Sequence, residues 1–103
     1  MFGMTDFGDW RLRGQEQHLQ GVSLRWKPYR IYSESWEHDH CAFCWAKFVD
    51  HDYARAWGWV WEEDWLTEGY ATTSDYAHGA DYEWICAGCF ADFVDLFEWR
   101  VVT

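Results

Sequence analysis

The stretch CAFCWAKFVD at 41–50 returns as CAGCFADFVD at 86–95. Seven of the ten positions are identical, an eighth is aromatic in both (Trp45, Phe90), and the copies begin 45 residues apart. Together they hold all four cysteines of the chain, as Cys41-x-x-Cys44 and Cys86-x-x-Cys89. Two close pairs of thiols suit a tetrahedral metal site: the spacing fixes two ligands within each pair, and the fold joins the pairs. Soft sulfur donors in a closed tetrahedron select zinc over harder cations. The sequence therefore predicts one structural Zn2+ held by Cys41, Cys44, Cys86 and Cys89. Such a set leaves no open position for water or substrate, which argues against a catalytic ion. Thiol redox chemistry through the same pairs is the competing use of these residues.

Outward from the cysteines, the second copy carries Phe90, Phe93, Val94 and Phe97 at i, i+3, i+4 and i+7, the apolar stripe of an amphipathic helix. Asp92, Asp95 and Glu98 fall off that stripe. Trp45, Phe48 and Val49 repeat its beginning in the first copy and predict a helix over about 42–55. Cys89 then lies in the first turn of its helix, where exposed N–H groups favour a thiolate. Trp45 and Phe90, directly after each pair, are expected to wall the metal from water.

Between the copies, Glu68–Thr73 and Tyr82–Ile85 read as two strands joined by the loop 74–81, which contains Gly79. Trp57-Gly-Trp-Val-Trp61 reads as a short strand or an irregular aromatic ridge, and Glu62, Glu63 and Asp64 follow it. In the N-terminal third, Val22, Leu24 and Trp26 alternate with Ser23, Arg25 and Lys27, the period of a half-buried strand. Trp10 and Leu12 alternate with Arg11 and Arg13 in the same way. An antiparallel β-hairpin within 1–33 is the expected result, with its basic side chains forming a small positive patch. The chain is read as one domain over 1–103, with a zinc-binding core over 38–99.

A CxxC turn, a β-hairpin and a second CxxC opening a helix resemble the order of a treble-clef or zinc-ribbon fold. This predicts a small zinc-stapled α+β domain. The phrases His38-Asp-His-Cys-x-Phe-Cys-Trp-x-Lys-Phe48 and Tyr82-x-Trp-Ile-Cys-x-x-Cys-Phe-x-Asp-Phe93 also resemble small, uncharacterised bacterial zinc-binding proteins with paired CxxC motifs. That resemblance implies the metal site and carries no activity with it.

Composition narrows the partner. Formal net charge is −10, with +2 in residues 1–30 and −12 in residues 31–103. Four thiolates on one divalent ion would add about two negative charges. A chain this acidic is repelled by phosphate backbones, so nucleic-acid binding is disfavoured and a basic protein partner is favoured. Ten tryptophans exceed what a core of this size buries, so several are expected at the surface. Tryptophan is enriched at interface hot spots, which makes Trp57, Trp59 and Trp61 the candidate partner surface.

The segment MFGMTDFGDW has neither a basic n-region nor a continuous apolar h-region, and no run approaches the roughly 20 apolar residues of a membrane span. A reducing cytoplasm with metal-bound thiolates is the expectation that follows.

The rival to a binding module is a small metal-dependent hydrolase or nuclease. His38 and His40 precede the first pair, and with His51, Glu37 or Asp39 they could hold a second ion. One of them could also replace a cysteine or sit behind the ligands. Histidines in a treble clef resemble the setting of HNH-type nucleases, but the Asn-bearing motif is missing. So are the zinc deaminase pattern, G-x-S-x-G and the phosphate-cradling glycine loops. The favoured reading is a non-enzymatic, zinc-stabilised, acidic and Trp-rich interaction module, such as an adaptor, an inhibitor or an immunity-type factor.

Overall fold

The fold is known from a computed structural model that describes residues 10–12, 16–31, 33 and 36–102. Its centre is the strand β1, Ser23–Pro28, where Leu24 is fully buried and Arg25 is exposed. One edge of β1 pairs antiparallel with β4, Glu68–Thr72, in the register Leu24↔Thr72 and Trp26↔Tyr70. The other edge pairs in parallel with β6, Arg100–Val101. The short strand β5, Trp84–Ile85, lies antiparallel on the far side of β4, giving the order β5-β4-β1-β6.

A second, two-stranded ladder pairs β2, His38–His40, with β3, Lys47–Val49, through Asp39↔Phe48. It is tied to the main sheet by a parallel bridge between Cys41 and Trp84. Helix α1, His51–Ala56, begins at Asp50, whose carboxylate accepts from the N–H groups of Asp52 and Tyr53. This caps two donors that the helix itself leaves unpaired. Helix α2 runs over Ala87–Phe97 and stops at Glu98, which adopts the left-handed conformation with φ 56°.

The core is aromatic. Phe43 meets Phe93 at 5.0 Å, Phe97 at 5.5 Å and Trp99 at 5.7 Å between ring centroids. Phe90 stacks on Tyr70 at 3.9 Å and joins Trp99 to the sheet. Phe48 presses against β4 so closely that a Cβ on Gly69 would lie 2.5 Å from its ring. The result is a mixed α/β domain with its cysteines clustered at one place, an α+β module of the expected kind.

Three local expectations give way. Trp10–Leu12 is a 3-10 turn rather than a strand, and β1 takes its antiparallel partner from β4, so no hairpin joins Trp10–Leu12 to Ser23–Pro28. Residues 1–9 and 13–15 lie outside the described residues. The helix expected over 42–55 is a turn, then β3, then α1 from His51. The reason lies in the backbone: Trp45 sits at φ 71°, and the Cys41 N–H donates to the Ala46 carbonyl at 2.8 Å. That tight reversal delivers Lys47–Val49 to β2, and Leu66 holds it there by donating to the Lys47 carbonyl and accepting from Val49. Finally, the positive patch is partly neutralised among the described residues, and Arg13 lies outside them. Arg11 meets Asp92 at 2.9 Å, Lys27 meets Asp81 at 2.8 Å and Arg30 meets Asp50 at 3.7 Å.

Candidate metal centre

Each cysteine pair is shaped by a different turn. In the first, the Trp45 N–H donates to the Cys41 carbonyl at 3.1 Å and the Phe43 N–H to Cys41 Sγ at 3.5 Å. In the second, Cys86 is the N-cap of α2, and the Cys89 N–H donates to its Sγ at 3.4 Å. The turns are joined by main chain: the Ala42 N–H donates to the Trp84 carbonyl at 2.8 Å, and the Cys86 N–H to Cys41 Sγ at 3.4 Å. N–H groups aimed at sulfur favour thiolates over thiols.

The four sulfurs converge, all within 4.8 Å of one another. Cys44 Sγ and Cys86 Sγ are 3.7 Å apart. A zinc ion with Zn–S bonds of about 2.3 Å spaces its ligands about 3.8 Å along the tetrahedral edge, so this pair already stands at metal spacing. Cys41 and Cys89 are buried, and Cys44 and Cys86 are partly buried.

Without a cation, such crowding cannot keep four charges. A hydrogen bond from Cys41 holds the Cys86 thiol well below the usual thiol range, and the same bond, with Cys86 as acceptor, pushes Cys41 upward. Cys89 is driven upward by hydrogen bonds to Cys41 and Cys86. Opposite shifts in one cluster are the mark of protons held between sulfurs, and a divalent cation at the centre would release them.

A residue outside the cysteine phrases completes the site. Arg11 Nη1 lies 3.6 Å from Cys89 Sγ while it pairs with Asp92, and its guanidinium stands 4.5 Å above the Phe93 ring. It brings positive charge to a centre whose metal-bound form would be anionic. Sequence alone carried no signal for this, because Arg11 read as the outer face of a strand.

The histidines do not assemble a second centre. Among the described residues, the cysteine quartet is the only group of three or more His, Cys, Asp or Glu side chains placed to share an ion. His38 and His40 face each other edge to face at 5.0 Å on β2, and His40 also meets Trp45 at 5.8 Å. His51 opens α1 beside Asp52 and Trp61. A catalytic set of His38, His40 and His51 is therefore not formed. Of the expected aromatic walls, Phe90 is packed between Tyr70 and Trp99, but Trp45 is 70% exposed and walls nothing, because its positive φ turns it out of the turn.

Trp57 is 63% exposed, with Trp61 also exposed beyond it. Trp59 is half-buried against Tyr53 and Trp65. Among the described residues no helix is long and apolar enough to cross a membrane. Compared with protein-family models, curated proteins and solved structures, the chain matches none of them.

Proposed function

We propose that this chain is a non-enzymatic interaction module whose fold is stapled by one structural Zn2+ on Cys41, Cys44, Cys86 and Cys89, and which docks a basic segment of another protein on an acidic tryptophan ridge. The observation that carries the reading is the pairing of a closed four-sulfur site with an aromatic surface that the fold leaves uncovered. Trp57, Val60 and Trp61 are exposed, and the acids Glu62, Glu63 and Asp64 directly after them are exposed as well. Exposed apolar side chains rimmed by one sign of charge suit a partner of the opposite sign. Trp59 supports the ridge from beneath, with Lys47 lying over Trp65 at 4.7 Å and over Trp59 at 5.7 Å.

The order of a cysteine turn, the β4–β5 hairpin and α2 opening at the second pair supports a treble-clef or zinc-ribbon reading, with the chain acting as one domain over 1–103. Metal-held thiolates fit a reducing compartment such as the cytoplasm. His38 and His40 are taken as residues beside the site rather than ligands.

The test is a comparison of wild type with Trp57→Ala/Trp61→Ala in pull-downs at low and moderate salt. A partner with a basic segment should be held by wild type, weakened by salt, and lost by the variant while zinc content is unchanged. Equal recovery by both proteins would remove the ridge as the docking surface.

A further inference from the structure

A cleft of about 340 Å³ opens between the segment before β2 and the β4–β5 loop, and it shares no lining residue with the metal centre or the tryptophan ridge. Its size is at the small end of ligand pockets, which run roughly 300–1,000 Å³. Three aromatic rings line it: Tyr29, which is buried, and Trp36 and Tyr82, which are half-exposed and stand 6.3 Å apart at 64°. His78 stacks on Tyr82 at 4.9 Å and steadies that ring.

Asp39 lines the same cleft. Its Oδ2 accepts from the Tyr29 hydroxyl at 2.9 Å and from Trp36 Nε1 at 3.1 Å, so two of the three rings are bonded to the carboxylate. Strand alternation places it on the face of β2 opposite His38 and His40. The other charges of the lining are already matched. Asp81 is held by Lys27 through both oxygens, at 3.0 and 2.8 Å. Arg30 turns to Asp50 and to the Tyr29 carbonyl. Among the described residues no lysine or arginine stands within ion-pair distance of Asp39.

Aromatic rings around an unmatched carboxylate are suited to one ligand chemistry. Ring faces attract a weakly hydrated cation, and the carboxylate supplies the opposite charge. We propose that this cleft is a receptor for an alkylammonium group, with Asp39 as its counter-ion and the rings of Trp36, Tyr82 and Tyr29 as its walls. The group is carried by a free quaternary amine or by a methylated lysine side chain. This inference is independent of the tryptophan-ridge reading.

The experiment uses the zinc-loaded full chain, ¹⁵N-labelled, and follows the indole N–H resonance of Trp36, identified by its loss in Trp36→Phe. Choline is titrated against its neutral isostere 3,3-dimethylbutan-1-ol. Choline should shift the resonance saturably, with the alcohol weaker by about tenfold. Asp39→Asn keeps both acceptor bonds and should remove the preference for the cation. Tyr82→Ala, a half-exposed change that leaves the core intact, should weaken choline by about tenfold as well. A peptide bearing one trimethyllysine binding more tightly than choline assigns the ligand to a protein side chain, and the reverse order assigns it to a free amine; either order supports the cation site. Equal binding of choline and the alcohol, no response to millimolar choline, or unchanged affinity in Tyr82→Ala would overturn it.

Discussion

Cys44 Sγ lies 3.7 Å from Cys86 Sγ, although 42 residues separate the two in sequence. Neither local turn accounts for that approach. It follows from the Cys41–Trp84 bridge, which sets the first cysteine turn against β5 and the start of α2. The tertiary fold and the sulfur tetrahedron therefore depend on each other. Stripping zinc with a chelator should abolish the near-ultraviolet signal of the packed tryptophans, since structural zinc contributes roughly 10–16 kcal/mol in small peptides. Elemental analysis should find one zinc per chain in wild type and none in Cys44→Ser. A metal-free protein with an unchanged spectrum would sink the idea of a metal-dependent fold.

Arg11 approaches Cys89 Sγ and Asp92 together. Groups that support metal ligands typically change affinity by about 10–100-fold when removed. Arg11→Gln should therefore speed zinc transfer to a chromogenic chelator by about tenfold, with the folded spectrum retained. A transfer rate equal to wild type would mean that the guanidinium does nothing for the centre.

Gly69 is the place where β4 passes over Phe48. A Cβ there would meet Phe48 Cε1 at 2.5 Å and Cζ at 2.7 Å, and Phe48 is fully buried and cannot swing aside. Gly69→Ala should cost about 1–3 kcal/mol, the usual range for overpacking. Denaturant unfolding of the zinc-loaded protein measures it, and a loss well under 1 kcal/mol would show that β4 yields at this point.

His38 gives the chain a pH dependence of definite sign. Burial, then the nearby charge of Lys47, holds its imidazole below the ordinary value, and its Nδ1 is buried without a hydrogen-bond partner. The unfolded chain then binds the proton first. Stability from this group is complete above the unfolded pKa of about 6.5 and declines as pH falls from there toward the folded pKa. His38→Gln should flatten the dependence of unfolding midpoint on pH between about 7.5 and 6. Parallel curves for the two proteins would assign the dependence to other groups.

The parts of this molecule that could be read from sequence are those governed by short spacing. The CxxC pairs pointed to the four sulfurs that the fold brings together, and the stripe Phe90, Phe93, Val94, Phe97 marked α2. The strands β1, β4 and β5 were visible in their apolar residues and the turn between them. What spacing could not convey was the direction taken after each turn. The same phrase leads into a strand after Cys44 and a helix after Cys86, because Trp45 reverses the chain at positive φ whereas Cys86 caps a helix. The partners of Arg11 and Asp39 were equally hidden, since each is set by contacts made through the tertiary fold.

The position of β1 also governs how the chain reaches its folded state. Leu24 pairs with Thr72 on one edge and with Val101 on the other, so an early-made strand awaits two partners that are synthesised much later. Until they arrive, both edges of β1 present bare amide and carbonyl rows, the template on which stray strands aggregate. The second cysteine pair emerges between those partners, so metal capture and sheet closure fall in the same late interval. With zinc on the four sulfurs as proposed, its supply during synthesis would act as a kinetic gate on yield, separate from any hold on the finished protein.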